Sequence, residues 1–298
     1  MSVAEQVAER PTAGSDELST KPPVKSGKRT GQFVFWFAVS WMTLLILLAV
    51  LAPILPIRDY ANTDAERLIP IGSWPEILGT DMLGRSVLSR VIFGARVSLT
   101  VAFMATGMAL VLGLIFGLLA AYVGGWVESI IDIFSASILA FPGLVLLLAV
   151  VAVLPPSTLS LAIALGLVAT PAFIRLVKAN ALAQSSREYI MAAQAMGARL
   201  PRILVRELLP NTIVPLISLV AVSIAIAIIA EGSLSFLGFG IAPPHPSWGG
   251  LIAEGKDRLG SYPGLVLVPS VVMFLTVFSS NTIGDKLRGY LDIGEVKL

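Results

Sequence analysis

The sequence predicts an all-α polytopic membrane protein with six transmembrane helices, and three observations carry that expectation. Hydrophobic residues make up 56% of the chain and charged residues only 13%, with a mean hydropathy of +0.86, beyond the apolar share of ordinary soluble domains. The apolar residues gather into runs at 33–55, 97–123, 130–154, 159–177, 213–237 and 262–283, each near the roughly 20 helical residues that cross about 30 Å of hydrocarbon. The runs are continuous rather than alternating, which selects helices over a barrel because in lipid each backbone amide must find its partner within the segment.

Taken in order, residues 1–32 mix Pro, Ser, Thr, Lys and Glu without periodicity and read as a mostly disordered tail. The first transmembrane helix, 33–56, stays as an anchor: it starts far from Met1, is too long for a signal-peptide core and lacks a small-residue cleavage site. An outer loop at 57–96 follows, broken by Pro70, Gly72, Pro75, Gly79 and Gly84. Within it, 78–99 (LGTDMLGRSVLSRVIFGARVSL) bears Asp81, Arg85, Arg90 and Arg96, a pattern that suits an interfacial helix with arginines snorkelling to headgroups.

Residues 97–290 form the core domain. Gly113 and Gly117 have the spacing that lets two helix backbones approach closely in lipid. Pro142, Pro171 and Pro215 kink or end their helices, since each removes an amide donor. Residues 238–264 read as a re-entrant or interfacial outer loop, with Trp248 at headgroup level. Glu231 is the one acid deep in an apolar run, and about 1.5 Å per residue places it near the outer end of the fifth helix, an outer gating position. Residues 291–298 form a C-terminal tail.

The charge distribution orients the chain. With the N-terminus inside, 14 of the 21 basic residues fall on the inner side, as retention of positive loops requires. Both termini and the loop at 187–211 are then cytoplasmic. The net charge of +2 gives no nucleic-acid signature, and there is no cysteine. The single histidine, His245, has no neighbouring ligand set, so no metal, cofactor or catalytic residue is expected in this chain. Gly27-Lys28 and Gly255-Lys256 lack the upstream glycine and following hydroxyl of a phosphate-cradling loop.

The loop at 187–211 is the most structured polar stretch. Residues 188–196 favour a short helix, Gly197 suits the positive φ of a helix terminus, Arg199, Arg202 and Arg206 decorate a second piece from Pro201 to Leu209, and Pro210 closes it. The order Ala192-Ala193, Gly197, Leu209-Pro210 resembles the loop signature of ABC importer permeases. Met191 stands where that signature has Glu, and Glu188, one turn earlier, offers a carboxylate on the same face.

Residues 78–99, 231–249 (EGSLSFLGFGIAPPHPSWG) and 281–292 (NTIGDKLRGYLD) are similar to the outer-loop, fifth-helix and C-terminal motifs of the dipeptide and oligopeptide branch, second-permease type.

That resemblance implies the type I ABC importer permease fold in a bacterial plasma (inner) membrane, with a homologous second permease subunit completing the path for short peptides. It also implies two ATPase subunits that bind ATP and Mg and act on the coupling loop (Glu188, Ala192, Ala193, Gly197, Arg199, Pro201, Arg202, Leu209, Pro210). An extracytoplasmic binding protein would rest on the side bearing Asp81, Arg85, Arg90 and Trp248. The resemblance adds contact of Asp285, Lys286 and Arg288 with the ATPase. Relatives carry peptides, nickel chelates and glutathione. An ion-coupled secondary transporter is the alternative class, but such proteins hold paired charges near the membrane midplane, whereas these acids sit near helix ends.

Overall fold

Burial of helices in lipid leaves little hydrophobic drive between them, so their association rests on close packing and interhelical hydrogen bonds. The computed structural model describes residues 28–295, with side chains described over 31–289. The helices are α1 (Lys28–Leu51), α2 (Val87–Val123), α3 (Gly125–Leu139), α4 (Gly143–Val153), α5 (Thr158–Ser185), α6 (Glu188–Ala195), α7 (Leu200–Arg202), α8 (Leu209–Ile213), α9 (Leu216–Phe236), α10 (Trp248–Gly255) and α11 (Gly264–Glu295). Among the described residues there is no strand, only an isolated bridge between Thr80 and Ser86.

Among the described residues five helices are long and apolar enough to cross a membrane, and the α3–α4 pair makes a sixth span if its two halves count as one. The third run was expected to be a single helix. Instead it bends by 93° between α3 and α4, at Pro142, the residue before α4, which has no amide to continue the hydrogen-bond ladder. Pro171 sits inside α5 and Pro215 at the start of α9, as expected.

The second helix corrects the reading further. It begins at Val87 rather than 97, so the expected boundary at 96–97 cuts through α2, and residues 87–99 are the first turns of a spanning helix rather than a separate interfacial one. The expected N-terminal tail lies mostly outside the described residues, and its last positions, 28–32, already belong to α1. At the other end α11 runs through Glu295, so most of the expected C-terminal tail is helical.

The seam between α2 and α5 organises the bundle. A Cβ at Gly113 would collide with Phe173, one at Gly117 would lie 2.7 Å from Val177 Cβ, and one at Gly166 would lie 2.9 Å from the Ala105 carbonyl. Each glycine is therefore a point where two helices touch without a side chain between them. α1 and α11 close the other flank, with Trp41 Nε1 donating to Thr276 Oγ1 (3.2 Å) and Ser280 Oγ to the Ala221 carbonyl on α9 (2.6 Å).

Among the described residues four apolar clusters share this frame, the smallest formed by Val87, Val91 and Leu251. Leu118, Val177, Ala181, Ile190, Ile203, Leu208 and Leu216 pack at the end that carries residues 187–211. Leu147 and Val151 of α4 join Val101, Ala105, Leu161, Leu165 and Leu234. Leu45, Ala95, Leu99, Ile228 and Trp248 form the third, toward the opposite end.

Gly117→Leu should wedge α2 from α5 and destabilise the fold by about 2 kcal/mol, in the range of core overpacking. The check is the thermal unfolding midpoint of the purified complex. An unchanged midpoint would mean the seam is not a structural contact.

Candidate functional site

The loop at 187–211 is built from its caps inward. Arg187 is extended, α6 follows, and Gly197 adopts φ +75°. The Gly197 amide donates to the Gln194 carbonyl (2.9 Å) and the Ala198 amide to the Ala193 carbonyl (3.0 Å). This pair of bonds is the Schellman helix stop, which needs a left-handed residue at the position Gly197 holds.

One face of α6 is buried: Ile190 is 0% exposed and Ala193 5%, and Ile190 joins a cluster with Leu118 of α2, Val177 and Ala181 of α5, Ile203 and Leu208 of the stretch that follows, and Leu216 of α9. The other face is open, with Glu188 and Ala192 exposed, Met191 at 53% and Met196 at 78%. Gln194 Nε2 donates to Tyr122 Oη of α2 (3.0 Å), and Tyr189 Oη to Gln184 Oε1 of α5 (3.2 Å). Burial pushes the Tyr189 phenol above its ordinary pKa, so it remains a donor.

Beyond Gly197 the chain re-enters helix at α7, with Arg199 extended before it and Pro201 in its first turn. Arg199, Arg202 and Arg206 are all exposed. Residues Ile203–Leu208 wind as a wider π-helical stretch before α8. Pro210 accounts for it: its ring and missing amide disrupt the bond to the Arg206 carbonyl, and a wider turn absorbs that misfit. Leu209 is half-buried and Pro210 exposed.

At the opposite end Asp81, Arg85 and Arg90 meet a partner that the sequence reading missed, Glu254 of α10. Arg85 Nε lies 2.6 Å from Asp81 Oδ2 and its Nη2 lies 2.8 Å from Glu254 Oε2. Arg90 Nη1 lies 2.7 Å from Asp81 Oδ2 and 2.6 Å from Glu254 Oε2, and its Nη2 donates to Glu254 Oε1 at 3.0 Å. Asp81 Oδ1 also accepts the amides of Leu83 (2.8 Å) and Arg85 (2.9 Å).

Arg90 is only 2% exposed and Arg85 7%, so neither snorkels to headgroups. Two acids within reach make burial cheaper than a headgroup contact. The loop is held to this cluster by Gly79 (φ +78°) and Gly84 (φ +82°), where a side chain would strike the Ile69 and Ala65 carbonyls. A sequence signal for Glu254 existed: two guanidiniums in an apolar run with one nearby carboxylate call for a second.

Trp248 is a correction of the same kind. Expected at headgroup level, it is 0% exposed and its Nε1 donates to the Val91 carbonyl at 3.1 Å. Ser247 caps α10, its Oγ accepting the Gly250 amide (3.2 Å), and a Cβ on Gly249 would lie 2.6 Å from Gly232 Cα. Within the 238–264 segment, Trp248–Gly255 is thus a helix laid backbone to backbone on α9, while 238–247 stays a loop. Glu231 lies beneath it, 0% exposed, accepting from Ser98 Oγ (2.8 Å) and Ser235 Oγ (2.6 Å). A second missed contact is Lys178 of α5, whose Nζ lies 2.7 Å from Glu128 and 2.6 Å from Asp132 of α3.

Comparison with known proteins was made on this architecture. The family described as binding-protein-dependent transport system inner membrane component matches residues 109–293. The dipeptide transport system permease protein DppC of Alkalihalophilus pseudofirmus is 38% identical over 84% of this chain and 83% of its own length. The glutathione transport system permease protein GsiD of Pectobacterium atrosepticum is 37% identical over 85% and 84%. The di/tripeptide transport system permease protein DppC of Pseudomonas aeruginosa is 35% identical over 85% of each. Among solved structures, an inward-facing MetNI methionine ABC transporter chain aligns with a TM-score of 0.52 and 19% identity over 68% of this chain and 96% of that one.

Arg90→Met should leave Asp81 and Glu254 sharing one guanidinium and destabilise the protein by about 3 kcal/mol, as breaking a buried pair does. Thermal unfolding beside Arg90→Lys, which keeps the charge, measures it, and equal midpoints for both variants and wild type would refute the cluster's role. Glu231→Gln keeps an acceptor oxygen for one serine, so uptake should stay within about twofold, while Glu231→Leu strands two buried hydroxyls at about 1–3 kcal/mol each. A collapse of uptake in the Gln variant would mean the charge itself is used.

Proposed function

The chain belongs to the binding-protein-dependent transport system inner membrane component family, as a multi-pass permease of an ABC importer, and from that premise we propose that it moves short peptides inward together with a homologous second permease subunit. Two ATPase subunits, separate polypeptides holding ATP and Mg, supply the energy, and this chain has no nucleotide site of its own. An extracytoplasmic binding protein delivers substrate to the end bearing Asp81, Arg85, Arg90 and Trp248. The N- and C-termini and the coupling loop face the cytoplasm, and the core permease domain begins with α2 and runs through α11.

The observation that carries this reading is the two-sided α6. Ile190 on its buried face joins a cluster formed by residues of α2, α5, α9 and the Ile203–Leu208 stretch, so a displacement of α6 is felt by the ends of several helices rather than one. Its open face presents Glu188, Met191, Ala192 and Met196, a small apolar patch rimmed by Arg199 and Arg202 that suits a groove on a cytosolic motor. Gly197 fixes the angle between α6 and α7, and Pro201, Leu209 and Pro210 shape the return. Glu231 serves as the pin that holds α10 on α2 and α9 while the outer end opens and closes.

Glutathione, itself a tripeptide, is the second reading, favoured by the 37% identity to a relative named for its transport. Competition of each compound for uptake separates the two.

Gly197→Pro cannot adopt φ +75°, because the ring holds φ near −65°. ATP-driven peptide uptake by vesicles carrying the full complex should fall at least tenfold while the chain still inserts. Wild-type uptake in this variant would defeat the coupling assignment. Uptake driven by a proton gradient without ATP would favour an ion-coupled carrier instead.

A further inference from the structure

A cavity of about 710 Å³ opens among α5, α9 and α11 at the coupling-loop end of the bundle. Its walls carry Asn180, Gln184, Asn211, Ser218, Asp285 and Arg288. The size lies within the range of small-molecule sites. The cavity at the other end, about 480 Å³, is lined by apolar residues such as Met82, Leu83 and Leu251 together with Asp81, Arg85, Arg90 and Glu254, whose charges already pair with one another.

The polar groups are already oriented. Asn180 Nδ2 donates to the Leu176 carbonyl (2.9 Å) and Asn211 Nδ2 to the Glu207 carbonyl (2.9 Å), which leaves each amide oxygen for a ligand. Gln184 Oε1 accepts from Tyr189, which leaves its Nε2 as a donor. Asp285 and Arg288 are three residues apart on α11, neighbours at about 5–6 Å between Cβ atoms, and among the described residues no ion pair joins them. Gly284 keeps this part of α11 close to α9: a Cβ there would lie 3.1 Å from Ala221 Cβ.

A planar guanidinium, a carboxylate one helical turn away, two amide acceptors and one amide donor match a molecule with one anionic end, one cationic end and a peptide group between. We propose that this cavity is an inner binding site for the zwitterionic backbone of a short peptide. Arg288 takes the terminal carboxylate, Asp285 the terminal ammonium, and Asn180, Gln184 and Asn211 the peptide groups. The site reads ends and backbone, so it accepts peptides whatever their side chains. Because Gln184 is tied to Tyr189 on α6, occupancy is linked to the position of the coupling helix. The inference rests on the import reading and gives Asp285 and Arg288, inside α11, a ligand rather than an ATPase contact.

The test uses the complex purified with its partner subunits in nanodiscs, without nucleotide and without the binding protein. Dialanine, N-acetyl-dialanine and dialanine amide are titrated by saturation-transfer NMR. Wild type should bind dialanine and lose at least tenfold in affinity when either end is capped. Arg288→Gln should abolish discrimination against the amide only, and Asp285→Asn against the acetylated form only. No dialanine binding, or equal binding of all three probes by wild type, overturns the site even if the variants misfold. Uptake of dialanine by the full system, measured in parallel, keeps the readings apart: uptake without binding removes the inner site alone, whereas absence of both removes peptide import as well.

Discussion

Everything in this bundle hangs from the contact of α2 with α5. Because lipid offers a helix nearly as good an apolar environment as another helix, the two stay together only where their backbones come close enough for dense van der Waals contact. Gly113 and Gly117 meet Phe173 and Val177, and Gly166 meets Ala105 and Met108. α2 is long enough to carry Arg90 near one end and Leu118 near the other. One rigid element therefore connects the ion cluster to the seat of α6.

The two ends of that element use different chemistry. At one end four charges of zero sum meet, Asp81, Arg85 and Arg90 buried and Glu254 about one-third exposed, a constellation that holds the loop before α2, α2 itself and α10 in one arrangement because loss of any member strands the rest. At the other end the seat of α6 is apolar and carries Ile190 and Ala193, while Gln194 and Tyr189 add one hydrogen bond each to α2 and α5. The first end is held by directional bonds, and the second by packing.

Local chemistry made part of this legible. The Ala193 to Gly197 spacing encodes a helix stop whose bonds span six residues, so no distant contact is needed to read it. Proline positions foretold breaks for a similar reason, although only the fold set the bend at Pro142 to 93°. The arginines were misread because the pattern of 78–99 is that of an interfacial helix when taken alone. What turns Arg90 inward is Glu254, 164 residues away, and no local pattern contains that distance. Trp248 was misread likewise, since proline-rich flanks suggest a surface loop, while the glycines at 232 and 249 draw the segment onto α9.

The sequence by itself determined the class, the apolar runs that become the long helices and the helix stop at Gly197. Hydropathy, helix-stop glycines and prolines act within one or two turns, and lipid leaves a backbone few other conformations. Tertiary structure alone decided which charges neutralise one another, which face of α6 is left for a partner and which polar side chains gather around a shared cavity. Those outcomes depend on groups from separate helices arriving within about 3 Å of each other, and that arrival is set by how the whole bundle packs.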